Sequence, residues 1–569
     1  MITVVLTAVT LLVLAATLRL TSGECRLTGR HNLYNSAVAA AEGGTERVMA
    51  QLERDFQNQA VSSNLSTYSS LLPDQATWPT KYQFSDGRGN ANKTRVTSNG
   101  TTVAPNQPIW TNLNSSFKGL YGMVTPYQVS SQATVSNRSE TVAATVTQDF
   151  QLALIPVFQF AIFYNMDLEI NPGADMDITG KVHSNAKLYS APGAKLRYLS
   201  DVTFVDKYIQ ARAPDDPSQG SGQAPQFVGD PSGPKAASSM VLPVGTNNSP
   251  GAITAILDPP PFAEDPNDPM AKLRFFNNAD LIITNTTSGA VTVKSGKWNN
   301  FATIQADNAD GTYSFINNVS YYDYREMKTV QATRIDVAKF KTWVANTTSK
   351  GGSSWNSLAK FTLNHELNSL YVLDNRVNTA TTLTAVRVEN GSTLPNDGLT
   401  VATPQPLYVK GNFNLNNGDT TPGLTTTAQT KPSALIGDSI NILSGSWQDG
   451  NSSKTALGDR KASDTTVNAA LLAGIVTTKK VSNSAHYSGG VENFPRFLEN
   501  WAGQTLTYNG SMVVMFPSRY ATNFWVETGN YYNPPKRQWA FDVNFLTQKG
   551  MPPITPSVKK LVRGTWAAR

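Results

Sequence analysis

A single cysteine, Cys25, stands in a chain of 569 residues, so no intrachain disulfide and no thiolate metal cluster can form. Imidazole is nearly as scarce. His31, His183, His365 and His486 include no His-x-His or His-x-x-x-His pair, which leaves zinc without its ligands. His365-Glu366 opens like a metalloprotease helix, but Ser369 occupies the place of the second histidine. His183, next to Ser184-Asn185, reads as a turn residue that caps backbone groups. There is no Gly-x-Ser-x-Gly elbow, no Walker loop and no Gly-x-Gly-x-x-Gly after a strand. No catalytic residue and no cofactor site is therefore expected. Charge is sparse too: Asp, Glu, Lys and Arg make up 15% of the chain, against about 25% in ordinary soluble domains. The net charge of +6 is not gathered into a Lys/Arg run, so nucleic acid is not an expected partner.

Proline is missing before Pro73, and residues 1–18 hold no charge, no glycine and no proline. Val4, Val5, Leu6, Val9, Leu11, Leu12, Val13, Leu14 and Leu18 dominate that segment. As a helix it spans about 27 Å at about 1.5 Å per residue, close to the roughly 30 Å of a bilayer core. The run is long for a signal peptide and ends at no small-x-small cleavage site, so a retained single-pass anchor is expected. Arg19, Arg26 and Arg30 follow it. By the positive-inside rule they favour an inward C-terminal part unless basic residues also precede the run, so a short basic leader or an upstream start is expected as well. Tyr34, Val38, Ala41, Thr45, Val48, Leu52 and Phe56 then repeat at spacings of three and four. That is one helical stripe, with Glu42, Glu46, Arg47, Glu53 and Arg54 largely between its positions.

The apolar run, Arg19, the Arg26-Leu27-Thr28-Gly29-Arg30 segment and then Ala39-Ala40-Ala41-Glu42-Gly43-Gly44-Thr45-Glu46-Arg47 together resemble the N-terminus of PilX-type minor pilins. They are also similar to the K-type tip pseudopilins of type II secretion. The resemblance covers about a tenth of the chain, with Ala40, Ala41, Glu42, Gly43 and Glu46 as its motif. It implies that the whole helix is an assembly element, that the membrane and other pilin-like subunits are its partners, and that a glutamate near the mature start registers neighbours in major pilins. Val5 stands at that position here, counted from Met1, so a minor or initiating subunit is expected. Two later segments, Gly180-Lys181-Val182-His183-Ser184-Asn185 and Tyr487-Ser488-Gly489-Gly490-Val491-Glu492-Asn493-Phe494, resemble parts of large PilX-like proteins of bacterial surfaces. The implied location is the inner or cytoplasmic membrane, with the large part outside the cytoplasm or in an extracellular filament.

Length predicts two or three structural units. Composition divides them into the membrane-spanning, pilin-like helix over 1–57, a β-rich region over 58–212, a low-complexity loop and Pro-rich connector over 213–270, and a β-rich C-terminal region with short helices over 271–569. Short strands are expected at 124–129, 141–147, 176–182, 281–284, 290–294, 400–401, 407–410 and 439–443. The apolar stretch 152–163, broken by Pro156, reads as buried core, and 511–516 as a buried strand packed by the Trp/Tyr-rich segment 520–545. The fold class is mainly β with a long N-terminal α-helix; a β-solenoid-like outer part is the first expectation and a sandwich the second. Apolar points recur too unevenly for a repeat to be assigned. Residues 213–235 read as a mobile loop, 307–311 as a hairpin turn, and helices are expected near 335–344 and 493–501. Asp167, Glu169, Asp175 and Asp177 are candidate calcium ligands, with solvated turn residues the commoner use of such groups. Tyr531, Tyr532, Trp539 and Phe541 form a candidate glycan-stacking platform, with core packing the commoner use. A membrane-tethered adhesin that binds a surface glycan or protein, and a solenoid polysaccharide-active enzyme with clustered carboxylates, are the alternatives to the pilin reading.

Overall fold

The structure is a computed structural model and describes residues 1–73, 82–103, 107–137, 140–217, 222–245, 247–296, 303–345, 365–415, 427–481, 484–526 and 531–569. Residues 218–221 of the expected loop and 527–530 of the aromatic segment lie outside the described residues. The chain forms two compact units, one of residues 1–155 with 559–569 and one of residues 156–558. These units cut across the four compositional segments because the last strand returns to the first unit, a long-range pairing that composition does not carry.

In the first unit, helix α1 (Ile2–Gln57) runs for 56 residues without a break, about 84 Å of helix. Its buried positions are Ala37, Ala40, Ala41, Gly44, Thr45, Val48, Met49 and Leu52. Steps of three and one make two adjacent rows on one face; Ala41, Thr45, Val48 and Leu52 of the expected stripe are among them, while Tyr34, Val38 and Phe56 are half-buried. That face lies on an antiparallel sheet. Strands β1 (Tyr82–Ser85), β2 (Arg95–Thr97) and β3 (Ile109–Asn112) each pair with the 16-residue β4 (Tyr121–Ser136), β4 pairs with β5 (Thr141–Pro156), and β5 pairs with the C-terminal strand Ser557–Ala568. Alternate side chains of β4 and β5 turn inward, as a half-buried strand requires. Ala40 and Ala41 meet Phe84, Ala133 and Val146; Val48, Met49 and Leu52 meet Tyr127, Val129, Phe150, Leu152 and Leu561. Lys559 closes the end of the helix: its ammonium donates to the carbonyls of Phe56 at 2.7 Å and Gln57 at 3.3 Å, groups that have no partner inside the helix.

The second unit is a β-solenoid. Strands β6 (Ile162–Tyr164), β7 (Leu168–Ile170) and β8 (Met176–Ile178) make one turn; β9 (Val182–Ser184), β10 (Leu188–Ser190) and β11 (Leu196–Tyr198) make the next. Strands β12 (Val202–Phe204), β13 (Tyr208–Ile209) and β14 (Gln226–Phe227) follow, and β15 (Lys235–Ala236) begins another. Ile162 faces Val182, which faces Val202; Leu168 faces Leu188, which faces Tyr208; Met176 faces Leu196. Each of these first two steps is 20 residues in a parallel register. Below β6 the same row continues through Thr505–Pro517, Thr465–Ile475, Ser433–Gly437, Leu399–Ala402, Ser369–Asp374 and Leu281–Asn285. A second row stacks Lys328–Asp336, Thr382–Gly391, Leu407–Phe413, Ile440–Leu443 and Pro495–Phe497. One apolar core fills the coil, from Leu168, Leu188 and Leu196 to Leu435, Leu471 and Val514. The sandwich expectation is thereby set aside, and every expected strand overlaps an observed one, although 176–182 covers Met176–Ile178, a turn and the first residue of Val182–Ser184, and 290–294 and 439–443 each begin one residue early.

Four local expectations are corrected. A 20-residue period does exist, and the motif pair Pro172-Gly173-Ala174 and Pro192-Gly193-Ala194 repeats at that interval. Residues 213–235 are not loop throughout, because Phe227 stacks on Tyr198 at 5.1 Å while Val228 donates its N–H to the Tyr198 carbonyl at 2.8 Å. The expected helix at 493–501 is the strand Pro495–Phe497, since parallel pairing with Ile440–Leu443 satisfies its backbone there and Leu498 and Trp501 are buried. Residues 307–311 do form a tight turn, with Gly311 at φ +80°, but the strands on either side, Thr303–Ile304 and Ile316–Asp323, pair with other strands. The expected helix near 335–344 is present as Val337–Ala345.

Candidate functional site

The feature that most demands a partner is the first half of α1. Val4, Val5, Leu6, Val9, Leu11, Leu12, Val13, Leu14 and Leu18 are all exposed, Leu12 at 71% and Leu6 at 66%. Covering nine such side chains is worth on the order of 15–25 kcal/mol, more than the whole stability of a typical domain. A helix does not present that surface to water unless something apolar covers it. Among the described residues this is the one helix long and apolar enough to cross a membrane, and none of its most apolar 18-residue window is buried.

Four hydroxyls along this stretch are already neutralised locally. Thr7, Thr10, Thr17 and Thr21 donate their hydroxyls to the carbonyls of Thr3, Leu6, Val13 and Thr17, four residues back, at 2.7 to 3.0 Å. Within hydrocarbon every donor must find such a partner. Charge resumes at Arg19, with Glu24, Arg26 and Arg30 beyond it, and Cys25 is exposed there.

Of the motif residues, Ala40 and Ala41 are buried, Glu42 is exposed, and Gly43 and Glu46 are half-buried. Glu46 forms a two-pronged ion pair with Arg563 of the C-terminal strand, one contact being 2.7 Å, and the guanidinium holds its carboxyl below the usual range. The reading from sequence missed Gly44. A Cβ at Gly44 would run into Ser131 Oγ, so glycine lets α1 lie close on β4. The signal was available, since Ala37, Ala40, Ala41 and Gly44 place small residues at i, i+3, i+4 and i+7.

The other candidates separate. Asp167 and Asp175 accept the backbone N–H of Lys187 and Lys195, 20 residues on, each at 3.0 Å, and Asp177 pairs with Arg197. With Glu169 on β7 and Asp177 on β8, the four are not gathered, and among the described residues no group of three such side chains is placed to hold a metal ion. His183 is buried between Thr203 Oγ1 and Asn185 Oδ1, both at 2.9 Å. His365 Nδ1 lies 2.7 Å from the Glu366 carbonyl. Tyr531 and Tyr532 are buried in the solenoid core, and Trp539 and Phe541, half-buried, pack against it, so the four rings do not form one exposed platform.

No protein-family model matches the sequence, and no curated protein does. Among solved structures, that of the competence-associated pilin ComZ from Thermus thermophilus is similar over 94% of this chain and 97% of its own, at 11% identity and a TM-score of 0.29. An overlap of that size carries neither fold nor role across, which leaves function to this chain's own helix and sheet.

Proposed function

We propose that this chain is a membrane-anchored minor pilin or pseudopilin-like subunit that assembles into, or decorates, a type IV pilus-like filament. One observation carries the reading: a single unbroken helix whose first half is apolar and bare and whose second half is packed on an antiparallel sheet. In the bilayer the bare half is covered by lipid; on extraction it is covered by equivalent helices of other subunits. Both environments satisfy the same nine side chains, so the exchange costs little. The inner or cytoplasmic membrane, with the solenoid outside the cytoplasm, is the location this mechanism requires.

The test uses the tagged full chain in a cell that assembles a type IV filament. It should resist carbonate extraction from membranes and appear at low stoichiometry in sheared filaments. Replacing both Leu11 and Leu14 by lysine places two charges mid-span, each costing roughly 2.5–3.5 kcal/mol there, and should remove the chain from both fractions. A chain that stays in the membrane but never enters abundant filaments is a tethered surface protein, and the filament reading then fails.

A further inference from the structure

Arg19, Arg26 and Arg30 follow the bare half of α1 at i, i+7 and i+11. At about 100° per residue they fall within an arc of about 40° on one face of the helix. All three are exposed, and among the described residues none of them enters an ion pair. Glu24, the one carboxylate before Glu42, stands about 140° round the helix from Arg19. The arginine face is also the face that carries the sheet. Ala37, Ala41, Gly44 and Val48 are buried there, within about 40° of the same line, and Ala37 meets Val135 and Ala144 where β4 turns into β5. The arginines therefore occupy the length of helix between the anchor and the sheet, on the sheet's own side.

Residues 2–20 account for about 28 Å of helix, which places Leu20 at the edge of a hydrocarbon core of roughly 30 Å. The headgroup layer extends about 5–8 Å further, the height of residues 21–25. Arg19 lies just below that layer and Arg26 just above it. In a bilayer a long side chain at the hydrocarbon edge turns its charge outward, so Arg19 reaches up. Helical side chains lean toward the N-terminus, so Arg26 reaches down. Ser22 and Gly23 lie between them on the same side, and a Cβ added at Gly23 would meet nothing within 4 Å. Two guanidinium groups, about 10 Å apart along the axis, thus bracket an open notch with the Ser22 hydroxyl as a further donor.

We propose, on the reading of α1 as a bilayer span, that this notch takes the phosphodiester headgroup of an anionic phospholipid. A guanidinium fork donates two parallel hydrogen bonds to phosphate oxygens, and each cation at an anionic surface favours binding roughly fivefold. A zwitterionic headgroup carries its own cation beside the phosphate and gains less. Arg30, about 6 Å further from the bilayer than Arg26, adds to the field rather than to the contact. Because sheet and arginines share a face, a lipid held there sets the rotation of the anchor and the side on which the sheet stands.

Cys25, exposed and the sole cysteine, lies about 120° round the helix from Arg19 and takes a fluorescent donor without filling the notch. The labelled full chain is reconstituted into phosphatidylcholine vesicles that carry an acyl-chain acceptor on either phosphatidylglycerol or phosphatidylcholine. Energy transfer should show phosphatidylglycerol enriched about fivefold or more around Cys25. Salt at about 1 M, where the screening length falls to about 3 Å, should abolish the difference. Arg19→Gln and Arg26→Gln should each remove most of the enrichment, Arg30→Gln less, and Arg54→Gln, near the far end of α1, none; all four residues are exposed, so the variants keep the fold. Equal transfer to the two lipids, or a preference that survives in both Arg19→Gln and Arg26→Gln, overturns the headgroup site alone while the anchor stands. Equal transfer to the lipids together with transfer between labelled chains that Arg26→Gln abolishes gives the arginines to another copy and also overturns it. A chain that does not float with the vesicles overturns the anchor and the headgroup site with it.

Discussion

Gly44 and Ser131 show how tightly single residues are constrained where α1 meets its sheet. Glycine to alanine within a helix usually stabilises by up to about 1 kcal/mol, yet here the added Cβ meets Ser131 Oγ, so Gly44→Ala should destabilise by about 1–3 kcal/mol. The Ser131 hydroxyl is itself buried without a hydrogen-bond partner, so Ser131→Ala should be neutral or stabilising. In the Ser131→Ala background much of the Gly44→Ala cost should vanish, and denaturant melts of the four proteins in a double-mutant cycle measure that coupling. Lys559→Met, which keeps the aliphatic stem and removes the ammonium from the helix end, should cost about 1 kcal/mol in the same assay. The Glu46–Arg563 pair, with both side chains more than a third exposed, should matter less than the cap. Ala40 and Ala41 were legible in the sequence because burial repeats along a helix. Ser131 and Lys559 were not, because their partners lie 87 and 503 residues away (131 − 44 and 559 − 56).

At the scale of elements, α1 was the most legible feature, since apolar spacing of three and four reports one buried face whatever it packs on. The solenoid was legible as a class but not as a repeat. Its turns keep a 20-residue step only where β6 to β13 stack. Elsewhere loops of varied length intervene between turns, which hides the period. The strand Pro495–Phe497 looked helical because Phe494, Phe497, Leu498 and Trp501 share helical spacing, although all four are buried through strand and turn geometry. The 20-residue step makes a direct prediction. Deleting residues 182–201 removes one whole turn and lets Val202 take the place of Val182 opposite Ile162, so the protein should still melt cooperatively. Deleting residues 182–191 breaks the step and should abolish the cooperative transition seen by circular dichroism. Equal loss in both deletions would contradict the turn assignment.

At the scale of the molecule, buried carboxylates set how stability follows pH. Glu169, Glu492 and Glu499 are each pushed by burial to about 7, above the ordinary 4.5. The folded chain therefore holds protons between about pH 4.5 and 7 that the unfolded chain has released, and their stabilising contribution is lost as pH rises through 7. Calorimetry of the full chain in detergent should show the solenoid transition at a higher temperature at pH 5.5 than at pH 8, with a flatter dependence in Glu492→Gln; a transition that rises with pH would contradict the assignment. The solenoid and its carboxylates nevertheless serve a chain whose placement depends on residues 2–20. The most direct measurement is the intact mass of the mature protein recovered from carbonate-washed membranes. Retention of residues 2–20 in a membrane-embedded product is the predicted result, and a freely soluble exported product that begins after Cys25 would contradict the anchor and with it the filament role.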